Sequence, residues 1–310
     1  MEYRNLGKAG VQVSTIGIGC NQFGGVVDKN GTKAIVHQAL DLGINFFDTA
    51  NSYSKGVSEE YLGAALQGLR DRAVIATKVR HAMGDGPNDQ GTSRYHIMNH
   101  VEASLRRLGT DHIDLYQIHT WYDAVPIEET MRTLDDLVRQ GKVLYIGASN
   151  FSAWQLSHSN DTAQRLGWEQ FVTVQPHYHI FEREIERELI PYCNYAGVSI
   201  LPYFPLAGGV LTGKYKRGEA APSGSRGERS PYVQKYLADE STFDKLEKLT
   251  AFAEAHGQTL HSLAFAWLLA NERVASVIAG VTNPEQVKAN AATVAWKLSF
   301  EELNEVNRLL

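Results

Sequence analysis

Four polar side chains, Asp48, Tyr53, Lys78 and His119, stand at or just past the ends of short apolar runs. Ile44–Phe47 leads to Asp48, Ala73–Thr77 to Lys78 and Asp114–Ile118 to His119. Tyr53 follows Asp48 by five residues, in the loop after the first of these runs. Each run reads as a β-strand. If the strands are parallel, their C-terminal ends share one face and the four side chains converge. A tyrosine ionises near pH ~10 and is a poor acid at neutral pH unless a cation stabilises its phenolate. Lys78 can be that cation, Asp48 can hold Lys78 charged, and His119 can direct a substrate oxygen. Together they could protonate an alkoxide formed when a hydride adds to a carbonyl. Taken singly, each has a plainer explanation: a turn aspartate, a surface tyrosine, a solvated lysine and a hydrogen-bonded histidine. Their common placement at strand ends is what favours chemistry.

The elements that would position them alternate along the chain. Strands are expected at Thr15–Gly19, Ile44–Phe47, Ala73–Thr77, Ile113–Ile118, Val143–Gly147, Phe171–Val174, Val198–Leu201 and Ser276–Ile278, mostly as continuous apolar runs of the kind covered on both faces. Helices are expected between them at Thr32–Leu42, Ser58–Leu69, Ser93–Leu108, Pro126–Gln140, Ala153–Leu166 and Arg183–Tyr195, with Thr242–His256 and Leu260–Asn271 before the last strand. Repeated strand–helix units of this number give an α/β fold, a (β/α)8 TIM barrel, rather than a doubly wound sheet. A short N-terminal β-hairpin, turning at Gly7–Gly10, precedes the barrel. No linker divides the chain, so residues 1–310 read as one domain. The one long irregular stretch, Lys214–Ser241, is rich in Gly, Ser, Arg and Pro and is expected to act as a lid.

Composition excludes several function classes. A net charge of −5 gives no electrostatic case for nucleic acid or an anionic membrane. No apolar run approaches the ~18 residues of a membrane helix, and the N-terminus lacks the basic-then-apolar layout of a secretory signal. Cys20 and Cys193 are too few and too far apart for a disulfide framework or a zinc site. A reducing, cytoplasmic setting is the expectation, with no resident metal.

The quoted segments, and others, resemble the aldo-keto reductase superfamily. Gly43-Ile44-Asn45-Phe46-Phe47-Asp48-Thr49-Ala50-Asn51-Ser52-Tyr53, followed by Ser58-Glu59-Glu60-Tyr61-Leu62-Gly63, is similar to a family signature. Ile75-Ala76-Thr77-Lys78 and Tyr116-Gln117-Ile118-His119 resemble the strands that carry its lysine and histidine. The likeness covers nearly the whole chain and points to the bacterial-type branch related to potassium-channel β-subunit-like reductases. It implies a barrel that uses NADPH to reduce aldehydes and ketones. Tyr53 would donate the proton, Lys78 would lower its pKa, Asp48 would pair with Lys78, and His119 would orient the carbonyl.

The same resemblance implies where the cofactor lies, since the glycine-rich dinucleotide fingerprint is missing after the first strand. Ser149, Asn150 and Gln175 match the groups that bond the nicotinamide carboxamide, and Tyr203 matches the aromatic that stacks on its ring. Phe204 replaces a usual serine, which leaves a backbone contact there. Pro205, Leu206 and Gly208 open a stretch, ending near Lys214, that resembles the pyrophosphate loop; Arg226 matches a phosphate-contacting arginine. Gly280, Thr282, Gln286 and Asn290 match the site for the adenosine 2′-phosphate and adenine. Gly280 and Gln286 stand where the best-known branch has lysine and arginine, so NADH use is not excluded. Lys214, Arg226 or Lys288 would have to make up the charge.

For a small-molecule carbonyl substrate, Phe23, Trp121 and Tyr122 are expected to line an apolar mouth, joined by the loop His81–Gly91 and by Tyr232 and Tyr236 of the lid. Two rivals remain. His177 and His179, with His112, Asp114 and His119, could be read as ligands of a metal-dependent hydrolase, although His112 precedes its strand and belongs to the opposite end. A regulatory protein could keep the barrel without turnover, but such relatives tend to lose the histidine that is present here as His119.

Overall fold

Alternate residues of a strand face opposite sides, and that period decides what fills the centre of this molecule. In a computed structural model describing residues 1–310, the strands are β1 (Tyr3–Asn5), β2 (Gln12–Ser14), β3 (Ile16–Gly19), β4 (Phe46–Asp48), β5 (Val74–Val79), β6 (Ile113–Ile118), β7 (Val143–Ser149), β8 (Thr173–Gln175), β9 (Ser199–Ile200) and β10 (Val277–Gly280). The last eight are parallel, in the order β10-β3-β4-β5-β6-β7-β8-β9. Bridges from Ile200 to Val274 and from Tyr203 to Ile278 join β9 to the β10 side and close the ring. The architecture is a (β/α)8 barrel with an N-terminal hairpin.

Phe46, Ala76, Leu115 and Ile278 turn into the barrel and pack with Leu201 and Ala275. Their chain neighbours Phe47, Ile75 and Tyr116 turn outward into the larger core beneath the helices. Two residues further along the same inward faces come Asp48, Lys78, Gln117 and, at the rim, His119. The polar cluster is therefore the next layer up from an apolar plug, placed there by strand periodicity alone.

The hairpin β1–β2 seals the other end. Leu6, Ala9 and Val13 belong to the interior cluster. Gly7 donates its N–H to Ser199 Oγ at 2.7 Å. Its φ is +56°, and a Cβ there would lie 2.3 Å from the Val172 carbonyl.

Helices cover the outside, with ends where their caps dictate. Ala153–Leu166 starts on a Ser152–Gln155 capping box and ends at Gly167 in the left-handed conformation. Three expectations shift. The segment expected as Arg183–Tyr195 is a 3-10 turn, Glu184–Glu186, then a helix Leu189–Ala196, because Pro191 has no N–H to continue an earlier helix and sits in a first turn instead. The Ser58–Leu69 helix is Val57–Ala65, and Gly68 with φ +76° lies beyond its end. The expected lid contains two short helices, Arg226–Arg229 and Pro231–Leu237. No helix is long and apolar enough to cross a membrane.

Replacing Gly7 by alanine combines backbone strain with a backbone clash, so it should lower unfolding free energy by about 2 kcal/mol or more. Urea denaturation checks this; an unchanged midpoint would mean the hairpin does not seal the barrel.

Candidate active site

The Asp48 carboxylate lies inside the barrel, 2% exposed, and Lys78 is fully buried beside it. Lys78 Nζ donates to Asp48 Oδ2 at 2.6 Å, to the Thr49 carbonyl at 2.9 Å and to Tyr53 Oη at 3.4 Å. An ammonium has three N–H bonds, and all three are used. The other carboxylate oxygen, Asp48 Oδ1, accepts from Gln117 Nε2 at 3.0 Å and Gln175 Nε2 at 2.8 Å. Glutamines reaching across the barrel from β6 and β8 thus fix the carboxylate, the carboxylate fixes the ammonium, and the ammonium fixes the phenol. Removing one member of such a buried pair typically costs about 3–5 kcal/mol, since the survivor keeps its desolvation penalty.

Burial pushes the Tyr53 hydroxyl above the ordinary tyrosine range, and the attraction of Lys78 offsets this only in part. The expected lowering by Lys78 is real but does not win. Tyr53 is a protonated phenol at neutral pH, a donor rather than a base. Burial alone would lower Lys78, but Asp48 and then Tyr53 carry it above its usual value. His119 is pulled down to about 2, first by burial and then by the charges of Lys78, His81 and Arg80. It is neutral, its ring centroid is 5.8 Å from that of Tyr53, and its buried Nδ1 has no partner.

Tyr53 and His119 open onto a cavity of about 700 Å³. All thirteen positions matched to cofactor contacts line this one cavity: Ser149, Asn150, Gln175, Tyr203, Pro205, Leu206, Gly208, Lys214, Arg226, Gly280, Thr282, Gln286 and Asn290. Tyr203 donates its hydroxyl to Asn150 Oδ1 at 2.9 Å, and Asn150 Nδ2 donates to the His119 carbonyl at 3.1 Å. Gly208 has φ +69°, and a Cβ there would come within 2.7 Å of Val233, so the loop has no room for a side chain at that point. Gln286 turns its Oε1 to the Thr282 N–H at 2.8 Å.

Lys214, Arg226 and Arg229 all line the cavity, and none has a carboxylate within ion-pair distance. Arg226 is pulled down by burial and then by repulsion from Arg229. An anionic ligand relieves both costs, so the wall suits a polyanion. Asn21 Oδ1 and Ser225 Oγ, also on the wall, are buried and unpartnered. Lys288 is ion-paired with Glu285 at 2.9 Å and lies outside the cavity, so it does not supply the missing charge. Arg229 and His261 are on the wall and were not expected. Neither carries a sequence signal, since one sits in an irregular stretch and the other in a helix that looks structural.

The expected substrate residues fare differently. Phe23 is fully buried. The chain turns back at Cys20, whose carbonyl accepts the Phe23 N–H at 3.0 Å, and this carries the ring into the core instead of the mouth. Trp121 packs edge-on against Phe151 and Trp154, and Tyr122 lies under the Arg80 guanidinium. Both are outside the cavity.

His177 and His179 are hydrogen-bonded to Tyr232 of the helix Pro231–Leu237 rather than forming an open ligand set. The Phe181 N–H donates to His179 Nδ1 at 3.2 Å, which leaves the proton of the neutral ring on Nε2. That Nε2 donates to Tyr232 Oη at 2.8 Å, and Tyr232 in turn donates to His177 Nε2 at 3.0 Å. His112 lies at the far end of β6, bonded to Asp111.

The positive-φ residues other than glycine are Ser54, Lys55, Arg80, Asn150, Phe204 and Ala207. All of them follow the C-terminal ends of barrel strands, where strained backbone is characteristic of functional loops.

The aldo/keto reductase family model matches residues 15–310. The chain belongs to that family. It is 40% identical over 303 residues to a probable voltage-gated potassium channel subunit beta of Arabidopsis thaliana, covering 95% of this chain and 91% of that protein. It is 37% identical over 319 residues to an uncharacterized oxidoreductase of Bacillus subtilis, covering 99% and 95%. It is 34% identical over 331 residues to the versiconal hemiacetal acetate reductase of Aspergillus parasiticus, covering 98% and 95%. Membership in a family of carbonyl-reducing oxidoreductases agrees with a proton-donating cluster at the end of a cation-lined cavity.

Burial also governs stability against acid. His100, His119 and His179 are held down to about 4, 2 and 3, and burial lowers His81, His96, His177 and His261 in the same direction. A histidine with a depressed folded pKa binds its proton first in the unfolded chain, which titrates near ~6.5. Stability should therefore fall as pH drops below about 6.5 and keep falling toward the folded values. Urea midpoints at pH 7.5, 6 and 5 test this; a flat profile would contradict the neutral, buried state of these rings.

Proposed function

We propose that the protein is an NADPH-dependent reductase of aldehydes and ketones, with Tyr53 as the general acid. The observation that carries this is the Lys78 ammonium, shared between Asp48 and the Tyr53 hydroxyl, with neutral His119 beside them on the cavity. A substrate carbonyl oxygen set between Tyr53 and His119 can accept from both. When bound, the nicotinamide supplies the hydride that no side chain can provide. The oxygen then gains charge, and Tyr53 gives it a proton while Lys78 stabilises the phenolate left behind. The raised pKa of Tyr53 suits this direction, because the donor is fully protonated at neutral pH and an alkoxide is a far stronger base than a phenolate.

Ser149, Asn150 and Gln175 would hold the carboxamide, with Gln175 already oriented by its bond to Asp48. Tyr203 would face the ring. Lys214, Arg226 and Arg229 would meet the phosphates, which favours NADPH even with Gly280 and Gln286 in place of cations; NADH use remains compatible with these residues. Action in the cytoplasm on a small-molecule carbonyl belongs to the same proposal. A non-catalytic role is disfavoured by the intact quartet, His119 included.

Tyr53→Phe should lower kcat by about 10²–10⁴-fold with little change in NADPH binding followed by fluorescence. Turnover that survives this change would remove Tyr53 from the acid role. Arg226→Gln and Arg229→Gln should each raise the KM for NADPH about tenfold or more, the scale of a lost charge-assisted hydrogen bond. Comparing NADPH with NADH separates a 2′-phosphate contact, which affects NADPH alone, from a pyrophosphate contact, which affects both. No change with either would take these arginines out of the site.

A further inference from the structure

Arg80 follows β5 directly, two residues after Lys78, and the mechanism above does not use it. Its φ is +135°, well outside the ordinary wells, and the Gly91 N–H holds its carbonyl at 2.8 Å. The guanidinium lies over the Tyr122 ring, 5.0 Å from the centroid. Its Nη1 is 3.3 Å from His81 Nδ1, and the His81 ring is stacked edge-on against His119 with centroids 4.3 Å apart. Two short contacts thus connect this cation to the histidine that would orient the carbonyl.

The guanidinium lacks a counter-ion. No carboxylate lies within ion-pair distance, whereas the part-buried Arg70 and Arg107 have one each at 2.6 and 2.7 Å; the cavity-lining Arg226 and Arg229 share its unpaired state. Arg80 Nε is buried with no hydrogen-bond partner at all. A planar fork of five donors matched by one imidazole nitrogen leaves most of its bonding capacity open. The fork is braced by an aromatic face, set on strained backbone and separate from the phosphate-end cations, since Arg80 does not line the cofactor cavity. Packing on Tyr122 explains the brace but not the missing partner or the strain.

We propose that the preferred carbonyl substrate carries an anionic group, a carboxylate or phosphate, a few bonds from the carbonyl carbon, and that Arg80 binds that group. This rests on the reductase reading of the Tyr53–His119 site. It makes Arg80 a specificity residue, with Tyr122 fixing the plane of the guanidinium and the oxygens of the substrate taking its free N–H donors. No bond to substrate is made or broken there.

The test compares substrates that differ only in charge: 4-carboxybenzaldehyde against its methyl ester, and glyceraldehyde 3-phosphate against glyceraldehyde. The wild-type protein should favour the anion in kcat/KM by about ten- to a hundredfold in at least one pair. Which pair responds identifies carboxylate or phosphate. Arg80→Gln should remove that preference by raising KM of the anion more than that of its neutral partner, so that the two kcat/KM values converge. Arg80→Lys, which keeps the charge but loses the fork, should fall between the two. If Arg80→Gln does not fold, the wild-type preference should still shrink as salt is raised, as for an exposed charge contact. Equal kcat/KM within both pairs, a preference indifferent to salt, or an equal loss on charged and neutral substrates in Arg80→Gln would overturn the proposal. Failure of the wild type to reduce any of the four would instead overturn the reductase reading on which it rests.

Discussion

The buried charge pair Asp48–Lys78 is the constraint on which the site depends. A carboxylate and an ammonium inside a barrel are costly unless every polar atom is satisfied. Here two glutamine amides, one backbone carbonyl and one phenol complete the set. Because β4, β5, β6 and β8 each contribute a partner, the pair joins half of the barrel's strands at the level of the chemistry. The apolar layer of Phe46, Ala76 and Leu115 directly below keeps water from reaching it from the hairpin side. Tyr53 hangs from this network, so the precision of the phenol is inherited from the pair.

Burial acts on Tyr53 and His119 in opposite directions, with one result. It raises the tyrosine and lowers the histidine, so both are neutral across the physiological range. The charge at this end is then carried by the Asp48–Lys78 pair, whose ammonium is fully buried. At the other end of the cavity the balance reverses: three cations face it without internal partners. One end of the cavity thus holds an internally paired charge, Asp48 with Lys78, and the other leaves Lys214, Arg226 and Arg229 open to a ligand.

Much of this was legible in the sequence because strands in a parallel barrel are short apolar runs, and those runs end in the residues of the candidate site. Every expected strand formed within a few residues of its expected bounds. The residues that escaped notice share a different origin. Arg229 lies in a helix of four residues, too short for a 3.6-residue period to show. Phe23 misled because position after a strand does not fix direction; a three-residue turn sent the ring inward. Arg80 carries no motif, and only the lack of a partner singles it out. Such absences are properties of space, invisible in a string of residues. The placement of thirteen matched positions on one cavity wall rested on family likeness, since no periodicity links residues 149 and 290.

The left-handed backbone at Ser54, Lys55, Arg80, Asn150, Phe204 and Ala207 gives the barrel two ends of unlike mechanical character. The hairpin end is relaxed apart from glycines, which adopt such angles freely. The opposite rim stores of order 1–3 kcal/mol at each strained position. A chain arranged this way has a built-in reserve of latent stability at its working end. Variants drawn toward glycine at those positions would settle into a firmer fold and a blunter catalyst. Directed evolution for heat tolerance and for turnover would then pull the same six residues in opposite directions.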